Sequence, residues 1–421
     1  MASEKFGDPY PHCEPSWYQG AFSPYYKETH VKFRNKVRAF VEEHLRPNVD
    51  KWIESEEGYP KEVHEKAYEL GIQGAIFPEE YGGTPPEDFD TFHEIILWDE
   101  LARCGGGMAF AQLSVNSMAL PPILVAGSEE MKRRVVPDVV KGKKFISLAI
   151  SEPTAGSDVS NLQTVAVREG DHYIVNGSKK WITGGHMADY LTVAVRTGDE
   201  SSGMMGISML LIDTNSPGVK IRKMKTQFDT CHSTTYILLE DVKVPVSNLI
   251  GEENQGFFYL VTNFNHERLV IACSALRAAR TCYAEALQWA LTRKTFGKTL
   301  MQHQMIRVKF SEMALQMEAL QDSIERVAFQ FASGVPDFKL GTECSLLKVQ
   351  AARCFEYCAM EASQIFGGSS IVKEGRGKIV ERLYREVRTV AIPGGSIEVL
   401  IDQHGREVLR KSKKVMKQSK I

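Results

Sequence analysis

The feature that most constrains this chain is that its apolar residues change period twice. Up to about residue 140 they recur at helical spacing, as in Val37, Phe40, Val41 and Leu45, a run closed by Pro47. Phe92 to Cys104 and Ala109 to Val125 read as further helices, the second apolar enough to be buried, after a turn-rich break at Phe77 to Gly83. From about residue 145 the period falls to two. Phe145 to Ile150 reads as a strand that stops at Pro153, which cannot donate to a sheet ladder. Tyr173-Ile174-Val175, Leu191 to Val195, Ile207 to Ile212 and Tyr236 to Leu239 add strands, and Asn176-Gly177 predicts a hairpin turn before Trp181-Ile182. After Gly256 the helical period returns. Ile306, Phe310, Met313, Met317, Leu320, Ile324, Val327 and Phe331 step by four and three, which is bundle packing with the methionines as core filler. Leu347, Ala351, Cys354, Cys358 and Ile365 repeat the pattern.

The pattern predicts an α+β multidomain chain: an N-terminal extension (1–28), an N-terminal helical domain (29–144), a middle β-domain (145–255), a C-terminal four-helix bundle (256–410) and a basic tail (411–421). With 421 residues, 43% of them hydrophobic, there is material for more than one core layer. A net charge of -2 draws it to neither nucleic acid nor membrane, and no apolar run reaches a membrane-spanning length. The eight cysteines are scattered without CxxC pairs, so they read as buried, reduced thiols of an intracellular protein rather than metal ligands. The first twenty residues have neither an Arg-rich transit character nor an apolar signal core. The ending Ser419-Lys420-Ile421 is one aliphatic exchange from the peroxisomal Ser-Lys-Leu address; it reads equally as the end of a frayed basic tail. Without the address the expectation is the mitochondrial matrix or cytosol.

The strand at 145–150 runs into Ser151-Glu152-Pro153-Thr154-Ala155-Gly156-Ser157-Asp158. Its small residues, hydroxyls and glycine suit a flat or phosphorylated ligand resting against main chain, although such loops are also ordinary turns. Further on come Lys180-Trp181-Ile182-Thr183-Gly184, Arg293-Lys294-Thr295-Phe296-Gly297 and Gln364-Ile365-Phe366-Gly367-Gly368. Singly, Trp181 reads as β-domain core, Arg293 as a solvated helix-end charge and Gly367-Gly368 as a helix C-cap. No strand-GxGxxG-helix unit is present, so a dinucleotide site here is not of the Rossmann kind. In this order and at these intervals, from about residue 30 onward, the chain resembles the acyl-CoA dehydrogenase family.

The resemblance implies the family's α-β-α fold, a homotetramer built as a dimer of dimers, and FAD bound between the β-domain and the bundle, partly against a neighbouring subunit. Ile150 and Ser151 would lie along the isoalloxazine, Trp181 would cover it, and Thr183 would bond near its polar edge. Arg293 and Thr295 would meet the diphosphate, while Phe296, Gln304, Gln364, Gly367 and Gly368 complete the site from the partner chain. Ser396 and Glu398 would neighbour the flavin. Ser157, Arg268 and Gly395 would contact the acyl-CoA.

The family's reaction removes an α-proton from the thioester as hydride leaves the β-carbon, so it needs a carboxylate base held dry. Most members carry that glutamate near the C-terminus, where this chain has Gly394. Isovaleryl-CoA and long-chain acyl-CoA dehydrogenases place it instead in a Glu-Arg-Leu context, which stands here as Glu267-Arg268-Leu269. The paired change makes Glu267 the expected base. The Gly394 N–H would serve the thioester oxygen, and His266 beside the base reads as a packing or solvated residue. The expected activity is α,β-dehydrogenation of an acyl-CoA to the trans-2-enoyl-CoA, of the kind found in fatty-acid β-oxidation and branched-chain amino-acid catabolism. Moving the base leaves room for a branch, so an isovaleryl-like group is the first expectation for the substrate. Electrons would pass to an electron-transferring flavoprotein, or to oxygen in an acyl-CoA oxidase-type enzyme. A non-catalytic flavin- or partner-binding relative is the reading from a different class. Nitroalkane oxidation is disfavoured, because those relatives use an aspartate where this chain has Gly394, and no metal site is expected.

Overall fold

A computed structural model describes residues 5–55, 58–106, 111–228, 231 and 234–418, with Ala111 and Gln112 described by backbone alone. The N-terminal layer comprises α1 (Glu28–Phe40), α2 (Val49–Glu54), α3 (Glu62–Glu69), α4 (Thr91–Leu101), α5 (Ala111–Ala119), α6 (Pro121–Ala126) and α7 (Glu129–Val140). α1 passes into a π-helical turn, Val41–Leu45, just before Pro47. Asp90 starts α4 by accepting the N–H groups of Phe92 and His93. The single helix expected over 109–125 is two. Pro121 and Pro122 cannot donate into a preceding turn, so they end α5 and open α6. Val125 is 60% exposed rather than buried, and residues 109 and 110 lie outside the described residues.

The middle layer is one eight-stranded sheet. Its strands are β1 (Ile146–Ala149), β2 (Val165–Glu169), β3 (His172–Thr183), β4 (Tyr190–Arg196), β5 (Ile207–Asp213), β6 (Val219–Lys223), β7 (Thr234–Pro245) and β8 (Leu249–Ile250). The order is β6-β7-β3-β2-β4-β5-β8, with β1 parallel to β4 at the register Ile146–Tyr190. Alternation places the two faces of β4 and β5 in different cores. Val193, Val195, Leu210 and Ile212 pack within the β-domain, whereas Ala194, Met209 and Leu211 join the helical core. The sheet is thereby fixed to the helices through one face.

The hairpin expected at Asn176-Gly177 is not there. β3 runs straight through these residues, and a bulge against β7 falls between Val175 and Gly177. Asn176 and Asp241 clip the two strands side chain to side chain and side chain to backbone at 2.9 Å each. A Cβ at Gly177 would come within 2.6 Å of Thr164, so the glycine is there for a close crossing. The turn that joins β2 to β3 is at Gly170 and Asp171.

The C-terminal layer holds α8 (Gly256–Val261), α9 (Phe264–Thr292), a short hairpin of β9 (Lys294–Thr295) and β10 (Lys298–Thr299), α10 (Gln304–Ala332), α11 (Gly341–Phe366), α12 (Lys378–Ala391) and α13 (Ile397–Gln418). α9 to α12 form the bundle around α9, which packs on α4, α10, α11 and α12. α9 can be central because small side chains such as Ala272, Ala275, Ala279, Ala286 and Ala290 let its neighbours close in. The expected methionine stripe on α10 is its buried face. α13 continues to Gln418, so residues 411–418 extend a helix instead of forming a separate tail. Ser419-Lys420-Ile421 lie outside the described residues. All eight cysteines are free and buried. No helix among the described residues is long and apolar enough to cross a membrane.

The segment before α1 is bound tightly to the core. The fully buried carboxylate of Glu14 meets Arg277 at 2.8 Å, Arg103 at 3.0 Å and Arg38 at 3.2 Å. The Arg34 guanidinium lies 3.7 Å from the centre of the Phe6 ring.

Candidate active site

Glu267 stands in the first turn of α9, where the helix dipole favours an anion. It is 9% exposed, and burial lifts its carboxyl from the usual 4.5 to about 7, against the lowering pulls of Asn263 and Arg268. Asn263 Nδ2 is shared between Glu267 Oε1 (3.2 Å) and the carbonyl of Ser117 on α5 (3.0 Å), which ties the base to the N-terminal layer.

The loop from Ile392 to Ser396 is brought against this turn. Arg268 Nε donates to the Gly394 carbonyl at 3.2 Å, and a Cβ on Gly394 would lie 2.8 Å from Ile271 Cδ1. Gly394 and Gly395 both have left-handed backbones, at φ +69° and +96°, a conformation that costs glycine nothing. Lys348 on α11 pins the loop from below, with its buried ammonium donating to the carbonyls of Ala391 (2.8 Å) and Gly395 (2.7 Å). Burial, together with Arg268, pulls the Lys348 pKa down to about 8. With the carbonyls of Gly394 and Gly395 both held, the Gly394 N–H has no acceptor among the described residues. Sequence reading missed Lys348 and Asn263. A lysine on a helix reads as solvated, and the only clue was that Lys348 shares the buried face with Cys344 and Ala352.

His266 points away from this chemistry. Its Nδ1 is 3.3 Å from Glu94 Oε2, and its ring lies 4.9 Å from that of Phe331. Burial opposes its charge, but Glu94 raises its pKa above the ordinary value, so it is a packing and pairing residue.

A second cluster forms where β1 and β3 end side by side. The Ser151 carbonyl accepts the Lys180 N–H at 2.9 Å, and Ser147 Oγ donates to the Thr183 carbonyl at 2.9 Å. Trp181 sits in the bulge between Lys180 and Ile182 at φ +69°, which turns its indole outward, 55% exposed. It is therefore not β-domain core. Ile150, Ser151 and Thr183 are half-buried beside it, and Ser157 is exposed on the following loop. The buried pair Glu152–Lys179, at 2.7 Å, stiffens this loop: Lys179 Nζ also donates to the Ile150 carbonyl, and Glu152 accepts the N–H groups of Gln163 and Thr164. Neither residue of the pair was anticipated.

The third group lies at the far end of α9 from Glu267. Arg293, Thr295 and Phe296 sit at the end of α9 and in its hairpin, Gln304 opens α10, and Gln364, Gly367 and Gly368 end α11. Stacking of Trp289 on Phe366, 5.1 Å between centroids, brings these ends together. Arg293, Phe296, Gln304, Gln364, Gly367 and Gly368 are exposed, Phe296 to 96%, and a Cβ at either glycine would meet nothing within 4 Å among the described residues. From Glu267 to Arg293 the helix advances roughly 39 Å. One chain cannot apply both groups to the same small reacting centre. Ser396 caps α13, its Oγ accepting the Val399 N–H at 3.4 Å, and Glu398 is exposed beside it.

Three family descriptions cover the chain in succession: acyl-CoA dehydrogenase N-terminal domain over residues 27–143, middle domain over 147–242 and C-terminal domain over 254–409. Together with the three-layer fold and a buried carboxylate beside a glycine loop, this places the chain in the acyl-CoA dehydrogenase family. It is 39% identical over 412 residues to the acyl-CoA dehydrogenase AFT10-1 of Alternaria alternata, covering 94% of this chain and 95% of that protein. The crystal structure of a probable acyl CoA dehydrogenase from Mycobacterium abscessus superposes with a TM-score of 0.85 at 36% identity, over 91% of this chain and 99% of that one. An acyl-CoA dehydrogenase from Bacillus anthracis solved in complex with FAD gives a TM-score of 0.85 at 27% identity, over 93% of this chain and 70% of that one.

Proposed function

We propose that this protein is an FAD-dependent acyl-CoA dehydrogenase in which Glu267 takes the α-proton of the thioester. The observation that carries the reading is the buried Glu267, poised at about 7, next to a glycine loop that cannot supply a carboxylate of its own. A base with that pKa is half ionised near neutral pH and strong enough to act on a weakly acidic C–H. The Gly394 N–H has no acceptor among the described residues and is held by the Arg268 and Lys348 contacts of its loop. It donates to the thioester oxygen and steadies the charge that grows there as the proton leaves. Asn263 keeps the carboxylate oriented, and the dry first turn of α9 excludes competing water.

FAD, when bound, supplies the acceptor for the hydride from the β-carbon. The residues fit that group. An outward-turned indole beside two half-buried hydroxyl residues suits a flat heteroaromatic ring. The exposed Arg293 fork and the open Gly367-Gly368 backbone suit a diphosphate. The FAD held by the Bacillus anthracis relative supports the assignment. Because Glu267 and Arg293 lie at opposite ends of α9, each site takes its diphosphate side from a second subunit, in keeping with the expected tetramer. The electron acceptor is an electron-transferring flavoprotein, or oxygen, in which case hydrogen peroxide appears without any added acceptor.

The test is the visible spectrum of the purified protein under anaerobic conditions, before and after a panel of acyl-CoAs. The oxidised flavin band is expected to bleach, and Glu267→Gln to slow bleaching by about 10²–10⁴-fold while keeping the flavin. A bound flavin that no thioester bleaches would sink the proposal.

A further inference from the structure

A cavity of about 180 Å³ opens one turn beyond Glu267. α9 lines it with Val270, Ile271, Ser274 and Ala278, which follow Glu267 at three, four, seven and eleven residues and so continue its face. α12 lines it with Val390, Glu386 and Leu383, successive turns counted back from Gly394. The two walls therefore lead away together from the carboxylate and the glycine loop. Ile271 joins the parts, since it lines the cavity and also abuts Gly394. Phe355 of α11, 2% exposed, also faces the cavity, as does the equally buried Leu383.

We infer that this slot receives the acyl tail and sets the length of the acyl group at about ten to thirteen carbons. The inference rests on the dehydrogenase reading and names its substrate class. Two measures bracket the length of the part inside the slot. A cavity of about 150 Å³ holds the six carbons of benzene, so this one holds about seven. From Val270 to Ala278 the wall extends about 12 Å, and an extended chain advances about 1.2 Å per bond, which gives about ten. The carbonyl, α- and β-carbons are outside this count, because Glu267 and Gly394 do not line the cavity. A branched five-carbon group, the expectation from the position of the base alone, would leave most of the slot empty. Each unfilled methylene forgoes its burial. Ser274 and Ala278 set the depth because their side chains are small. A leucine at either position would fill the slot from the side.

The experiment is anaerobic flavin bleaching by the holoenzyme with straight-chain acyl-CoAs from butyryl to palmitoyl, and with isovaleryl-CoA. The bleaching rate at limiting thioester is expected to peak between decanoyl and tetradecanoyl, with isovaleryl-CoA at least about tenfold slower. Ala278→Leu and, independently, Ser274→Leu are expected to lower the decanoyl-to-butyryl rate ratio about tenfold or more. A peak at butyryl or isovaleryl, or an unchanged ratio in a flavin-loaded variant, would overturn the assignment of length and leave the dehydrogenase reading intact. No bleaching by any thioester would overturn both.

Discussion

At the scale of single residues the site is governed by the cost of keeping one carboxyl dry. Among the described residues no cation lies at hydrogen-bond distance from Glu267, and burial raises it to about 7. The pH dependence follows with a definite sign. The rate at limiting substrate should climb as Glu267 ionises, about tenfold per pH unit below 7, and level off above it. Stability runs the other way. In the unfolded chain the carboxyl gives up its proton near 4.5, in the folded chain near 7, so the fold loses stability as pH rises between those values. Above pH 7 the deficit reaches about 3 kcal/mol. Glu267→Gln is therefore expected to melt higher than the native chain at pH 8 and to lose that advantage at pH 4. Equal melting temperatures at pH 8 would mean that the carboxyl is not dry. Glu267 and Gly394 could be read from the sequence because they arrive as a pair, a glutamate gained at one place and missing at the other. Lys348 and Asn263 could not, since only the packing of α11 and α5 on the loop and the turn gives them a role.

At the scale of elements, residues before α1 show how a polar stretch becomes structural. Burial alone would raise the Glu14 pKa, but Arg277, then Arg103 and Arg38, outweigh it and hold the carboxyl at about 2. Removing the charge leaves three guanidinium groups around a buried neutral amide. Glu14→Gln is expected to cost about 3–5 kcal/mol in urea unfolding at neutral pH. Because the folded pKa lies below the unfolded one, this stabilisation is complete above about 4.5 and fades as pH falls toward 2. The gap between the two proteins should accordingly narrow from pH 5 to pH 3; a gap constant with pH would assign the loss to packing. The sequence showed 1–28 only as an extension, for a lone glutamate gives no sign of arginines that come from α1, the turn after α4, and α9. The period of two in the β-domain, by contrast, was readable for the strands that bury an apolar face, β1, β3, β4, β5 and β7, whereas the largely exposed β2 and β6 gave no such signal. Asn176-Gly177 misled because a bulge and a hairpin turn ask for the same residues. Only the crossing with Thr164 tells them apart.

At the scale of the whole molecule, α9 acts as a ruler. It carries the base in its first turn and Arg293 just past its last, roughly 39 Å apart, so on the proposed reading the two groups serve different sites. The flavin-side end is unfinished in the single chain, with Phe296 exposed to 96% and Ile371 to 80%. Large apolar side chains bared in one region mark a surface that another chain covers. If that chain is a second copy, two different defects should complement. Glu267→Gln spoils the proton-taking half of a site, and Arg293→Ala spoils the half lent to the partner. Each variant expressed alone should be nearly inactive. Co-expressed in equal amounts, half the pairs are mixed, and each mixed pair unites one intact Glu267 with one intact Arg293. About a quarter of the sites, and about a quarter of the native bleaching amplitude, should then return. Mixing the purified variants without subunit exchange should restore nothing. If co-expression also restores nothing while both chains co-purify and bind flavin, then Arg293 acts within its own chain or not at all, and the divided site is wrong.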